Sequence, residues 1–69
     1  MADDAFNMSM RKFLKRVGVT SQQEIEKSVR AAREAGKLSG GAVKAKMVLT
    51  IEAAGLTHVV EGEIDVSDA

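Results

Sequence analysis

Between residues 3 and 17 the apolar positions recur with a helical period. Phe6, Met10, Phe13, Leu14 and Val17 are separated from the first by 4, 7, 8 and 11 residues. At about 100° per residue these offsets fall in one stripe roughly 100° wide, the pattern of a helix that turns one face to a core. Asp3 or Asp4 offers a carboxylate to the free N–H groups at its start. Gly18 stands where a left-handed exit is needed, which predicts a first helix over about residues 4–17.

A second start signal follows at once in "VTSQQEIE". Ser21 with Glu24, or Thr20 with Gln23, has the spacing of a capping box. The helix it opens is expected over about residues 21–35. Ile25, Val29 and Ala32 face inward with Ser28 beside them, and Glu26 and Arg30 stand four apart in the favourable order. Gly36 supplies a left-handed exit, and Leu38 is placed to pack back on the last turn. The joint "GVT" is so short that the two helices are expected to meet at a tight corner.

After the linker "SGG", residues 39–41, the period changes from 3.6 to 2. Val43, Ala45, Met47, Leu49 and Ile51 alternate with Lys44, Lys46, Val48, Thr50 and Glu52, giving a strand over about 43–52. "AAGL" offers a turn with Gly55 available for positive φ. His58, Val60, Gly62, Ile64 and Val66 then alternate with Thr57, Val59, Glu61, Glu63 and Asp65, a second strand over about 57–66.

Charge refines this hairpin. Every Lys and Arg precedes Met47, and only acids follow it. Pairing Glu52 with Thr57, so that facing residue numbers sum to 109, sets Lys46 opposite Glu63 and Lys44 opposite Asp65. Each opposite-charge pair contributes roughly 0.2–1 kcal/mol, enough to favour a register. A one-residue slip places glutamates opposite the apolar row, and a slip to a sum of 111 leaves Lys44 without a facing acid. Gly62 falls opposite Met47, as though to admit a bulky neighbour from a helix. The expected fold is α+β in two layers, α-α-β-β, with two N-terminal helices packed on a C-terminal antiparallel hairpin as a single domain over 1–69.

The chain has 69 residues, and at that size the balance of apolar burial against chain entropy comes out close to zero. Small domains close the gap with disulfides, a metal or a partner. No cysteine is present, and one histidine makes no cluster of nitrogen ligands, so association is the remaining stabiliser. The composition, 45% hydrophobic and 29% charged, is globular usage and not that of a disordered chain. "MADDAFNMSM" is acidic and lacks an apolar run, and no segment approaches the ~20 apolar residues of a membrane span. A cytoplasmic protein is expected.

Candidate chemistry is sparse. His58 is the only side chain with an ordinary pKa near neutrality, and no serine or carboxylate is tied to it by spacing. A partly buried, structural histidine is expected. Glu52, Glu61, Glu63 and Asp65 lack the spacing of a calcium loop. No metal, cofactor or catalytic residue is assigned, and an enzyme is not expected.

"RKFLKR" contributes the strongest charge run. Arg11, Lys12, Lys15 and Arg16 spread over the helix face opposite the apolar stripe. A solvated outer face is the simplest account, with contact to nucleic-acid phosphates the sharper alternative. Zero net charge and the lack of stacking aromatics stand against that alternative. A membrane-surface helix is set aside because the stripe is needed for the core.

Two strings carry a resemblance. "FNMSMRKFLKRVGVTSQQEIEKSVRAA", followed by "KMVLTIEAAGLTHVVEGEI", resembles a family of small bacterial proteins, mainly proteobacterial, classed as a domain of unknown function. It covers about Phe6 to Ile64 and implies a bacterial cytoplasmic protein, with no activity or site residues to carry over.

Function is therefore argued from the surface. The outer sheet face carries Val48, Thr50, Thr57 and Val59, with the two valines as diagonal neighbours, and the strands have open edges. A homodimeric interaction module is expected first. An adaptor that receives another protein at the sheet edge or outer face comes second. Weak nucleic-acid binding through Arg11, Lys12, Lys15 and Arg16 comes third.

Overall fold

The computed structural model describes residues 3–67. The fold is α+β, one long helix followed by a two-stranded antiparallel hairpin. Helix α1 spans Asp3–Glu34, strand β1 Ala42–Ile51 and strand β2 Leu56–Asp65, with a 3-10 turn at Glu52–Ala54 between the strands. The chain divides into two compact units, Met1–Lys37 and Leu38–Ala69.

In the first unit the expected break at Gly18 is absent, and α1 runs for 32 residues without interruption. The phase of the apolar pattern explains this. Phe6, Met10, Leu14 and Val17 continue as Ser21, Ile25, Ser28 and Ala32, so steps of 4, 4 and 3 repeat through Gly18. At about 100° per residue all eight positions lie within one arc roughly 100° wide. An unbroken helix already aligns the two halves, and no corner is needed.

Energetics point the same way. Glycine in a helix interior costs about 1 kcal/mol relative to alanine. Two new helix ends would leave about eight backbone groups to be satisfied by caps or water. Neither capping box forms. Thr20 donates its hydroxyl to the Arg16 carbonyl at 2.8 Å, a bond back along a continuing helix, and Ser21 is half-buried on the stripe.

At the other end the expectation holds. Gly36 has φ 74°, its N–H donates to the Arg33 carbonyl at 3.0 Å, and the Lys37 N–H donates to the Ala32 carbonyl at 2.9 Å. These two bonds are the pair that closes a Schellman motif around a left-handed glycine. The cap expected from Asp3 falls on a side chain outside the described residues, and Asp4 stands inside the first turn. Lys27 and Glu24 close an ion pair at 3.8 Å, where the sequence had offered Glu26 with Arg30.

The second unit is the hairpin, with strands Ala42–Ile51 and Leu56–Asp65 close to the expected bounds. Its register differs. Facing residue numbers sum to 107: Val43 faces Ile64, Ala45 faces Gly62, Met47 faces Val60, Leu49 faces His58 and Ile51 faces Leu56. The turn decides this. Glu52, Ala53 and Ala54 take 3-10 geometry, and Gly55 follows at φ 65°, ψ 29°, donating its N–H to the Glu52 carbonyl at 3.0 Å. The left-handed residue closes the loop, so β2 starts directly after Gly55. Leu56 then joins the ladder opposite Ile51 instead of sitting in the turn.

A shift of two residues keeps every side chain on its expected face. Lysines still face acids, as Lys44 opposite Glu63 and Lys46 opposite Glu61. Gly62 lies opposite Ala45, not Met47, and a Cβ built on it meets nothing within 4 Å, so no bulky neighbour occupies that space. The ladder extends one rung further, where the Val66 N–H donates to the Gly41 carbonyl at 2.7 Å. Val66, at 2% exposure, is the one buried apolar side chain among the described residues. Val43, Ala45, Leu49 and Ile64 on its face are half-buried. Without a second helix, the expected layer of two helices does not exist.

Candidate interaction surface

The register brings the outer-face candidates together more closely than the sequence suggested. Val48 lies directly opposite Val59, and Thr50 directly opposite Thr57. The four side chains form one block on the outer face, with Val48 53% and Val59 46% exposed. Directly opposed β-branched pairs have Cβ atoms about 4.5–5.5 Å apart, so the block presents a continuous apolar and methyl surface.

The sequence missed the state of the opposite face. Met47, Ile51, Leu56 and Val60 share the row that was expected to be covered, and all four are exposed. The far half of the hairpin is thus apolar on both faces and open on both. His58 sits in that same row opposite Leu49 and is exposed, which corrects the expectation of a partly buried histidine. The second helix expected to cover this row does not form.

Acidic residues on β2 are solvated. Glu61, Glu63 and Asp65 lie along the outer face, whereas Glu52 belongs to the turn. Asp65 accepts hydrogen bonds from the Ser67 hydroxyl at 2.7 Å and the Ser67 N–H at 2.9 Å. These two donors hold its carboxyl below the ordinary aspartate value, the hydroxyl being the larger cause. The arrangement ends β2 as a local turn, not as a binding site. Among the described residues no group of three or more His, Cys, Asp or Glu side chains is placed to hold a metal ion.

On α1, Arg11, Lys12, Lys15 and Arg16 are all exposed. The depressions beside them, one lined by Met8, Arg11, Lys12 and Lys15 and one by Ser9, Phe13 and Arg16, are open grooves along a single helix. The apolar stripe of this half of the helix, assigned to a core by the sequence, is exposed from Phe6 to Leu14. Among the described residues no helix is long and apolar enough to cross a membrane.

One amphipathic helix and one two-stranded hairpin, both with uncovered apolar side chains, define a small α+β helix–hairpin protein whose distinctive chemistry is its surface. A model described as "Family of unknown function (DUF6494)" matches residues 1–67, and the chain belongs to that family. The resemblance carried by residues 6–64 to a domain-of-unknown-function family is confirmed at nearly full length. No curated protein and no solved structure matches the chain.

Proposed function

We propose that the protein is a non-enzymatic interaction module that associates with itself through its hairpin. The observation that carries this reading is the far half of the hairpin, apolar and exposed on both faces. An isolated two-stranded sheet is marginal in water, and three or more strands or a packed face are needed for independent stability. Joining two hairpins edge to edge, or packing them face to face, supplies what one copy lacks. A two-fold contact uses the same block on both chains, so Val48 and Val59 of one copy meet their equivalents in the other.

Complete burial of a Val, Leu, Ile or Met side chain contributes roughly 1.5–3 kcal/mol. Six such residues, Met47, Val48, Ile51, Leu56, Val59 and Val60, are exposed here at 40–53%. A two-fold contact covers one face, and burying the remaining half of Val48 and Val59 in two copies yields roughly 3–6 kcal/mol. Association itself costs an estimated ~4–15 kcal/mol, so the two are of the same scale and a weak, concentration-dependent dimer is expected.

Sedimentation equilibrium over a dilution series tests this. The expected mass rises toward twice 7.4 kDa with concentration and stays at the monomer value when Val48→Lys is combined with Val59→Lys. A single species of 7.4 kDa at all concentrations refutes it. The unpaired strand edges also suit an adaptor that receives an extended segment of another protein. A monomer that gains a third strand on adding such a segment favours that reading instead.

A further inference from the structure

The first half of α1 carries a feature that self-association of the hairpin does not use. Phe6, Phe13 and Leu14 are 65%, 49% and 51% exposed, and Met10 lies open between them. A stripe once assigned to a core is therefore a free surface. From Ala5 to Gln23 the chain has four cations and no Asp or Glu, although the whole chain has no net charge. On a helical projection of about 100° per residue, Arg11 and Arg16 flank the stripe, roughly 100–120° from its centre on either side. Lys12 and Lys15 point away from it.

We propose that residues 6–17 of α1 bind the surface of an anionic lipid bilayer. The stripe enters the boundary between headgroups and acyl chains, and the Arg11 and Arg16 guanidinium groups reach lipid phosphates from its margins. The helix lies on the surface and does not span it, because it is not apolar enough to cross.

Charge selects this occupant over the others. Pairing this segment with itself in a second copy brings cations together with no acid between residues 5 and 23 to match them. A nucleic acid neutralises the cations but leaves Phe6, Met10, Phe13 and Leu14 in water, and both phenylalanines lie on the stripe, not among the cations. An anionic bilayer satisfies both faces. A membrane-surface helix needs its apolar stripe free of a core, and the exposure of these residues meets that need.

The full-length chain is tested by flotation with vesicles of phosphatidylglycerol and phosphatidylcholine, and with phosphatidylcholine alone, at low salt. The expected result is flotation with the anionic vesicles and little with the neutral ones. Arg11→Gln with Arg16→Gln weakens binding about fivefold per cation, near 25-fold for the pair. Phe13→Glu with Leu14→Glu abolishes flotation while far-UV circular dichroism shows the helix retained. Failure of the unaltered chain to float with anionic vesicles overturns the proposal, as does equal binding to neutral vesicles. Unchanged binding after Phe13→Glu and Leu14→Glu overturns it too, as does an oligonucleotide mobility shift without flotation.

Discussion

Replacing Gly18 with alanine tests the continuity of α1 through the sign of one stability change. Gly18 lies inside the helix, its φ is not positive, and a Cβ built on it meets nothing within 4 Å. Alanine is favoured over glycine in a helix interior by about 0.8–1.0 kcal/mol, partly because the unfolded chain loses fewer states. With no clash to offset it, Gly18→Ala should stabilise the protein by about that amount, near 4–8 °C in Tm for a chain of this size. If Gly18 instead closed a first helix in the left-handed region, the new Cβ would cost about 1–2 kcal/mol. The two accounts differ by roughly 2–3 kcal/mol and in direction. Urea and thermal melts followed by far-UV circular dichroism resolve that gap, at one fixed protein concentration because the proposed self-association would shift the midpoint. Gly36→Ala is the internal control: φ is 74°, so alanine there should destabilise. A loss of stability in Gly18→Ala comparable to that in Gly36→Ala would sink the single-helix account.

Two further expectations concern the hairpin. Lys46→Glu sets a glutamate opposite Glu61 and should cost about 0.2–1 kcal/mol in urea melts; adding Glu61→Lys should restore most of it. Rescue by Glu63→Lys instead would indicate a register summing to 109. At the end of β2, the Ser67 donors lower the Asp65 pKa, so their stabilising effect is complete above the ordinary aspartate value. It is lost as pH falls through the lowered value. Ser67→Ala should raise the Asp65 carboxyl toward its ordinary titration, read by carboxyl-carbon NMR; an unmoved titration curve contradicts the assigned hydroxyl bond.

Much of the local structure was legible in the residues. The change of period after "SGG" placed the strands, Gly36 and Gly55 took the left-handed conformations expected of them, and the alternation assigned each strand residue to its correct face. The register was less legible because charge was degenerate. Sums of 109 and 107 both set two lysines opposite two acids, and only the position of Gly55 at the last residue of the loop separates them. The break at Gly18 was misread because two capping boxes and a glycine are signals of short range. The evidence against them, eight positions in phase across 27 residues from Phe6 to Ala32, appears only when both halves are projected on one helix.

The candidate surfaces divide in the same way. Val48, Thr50, Thr57 and Val59 were identifiable as an outer face by alternation, and pairing turned diagonal neighbours into direct ones. Which apolar residues stay uncovered was not identifiable. Periodicity reports that a helix or strand has an apolar side, and it is blind to whether anything lies against that side. Phe6 and Val17 both occupy stripe positions, yet the first is 65% exposed and the second half-buried. Sequence alone determined the two strands, the left-handed exits at Gly36 and Gly55 and the faces the strands present, because backbone dihedrals and side-chain alternation are set by neighbours a few residues away. Only the tertiary structure decided the ladder's rungs and which greasy stripes remain open, because those depend on how a loop closes and on whether another element exists to lie across them.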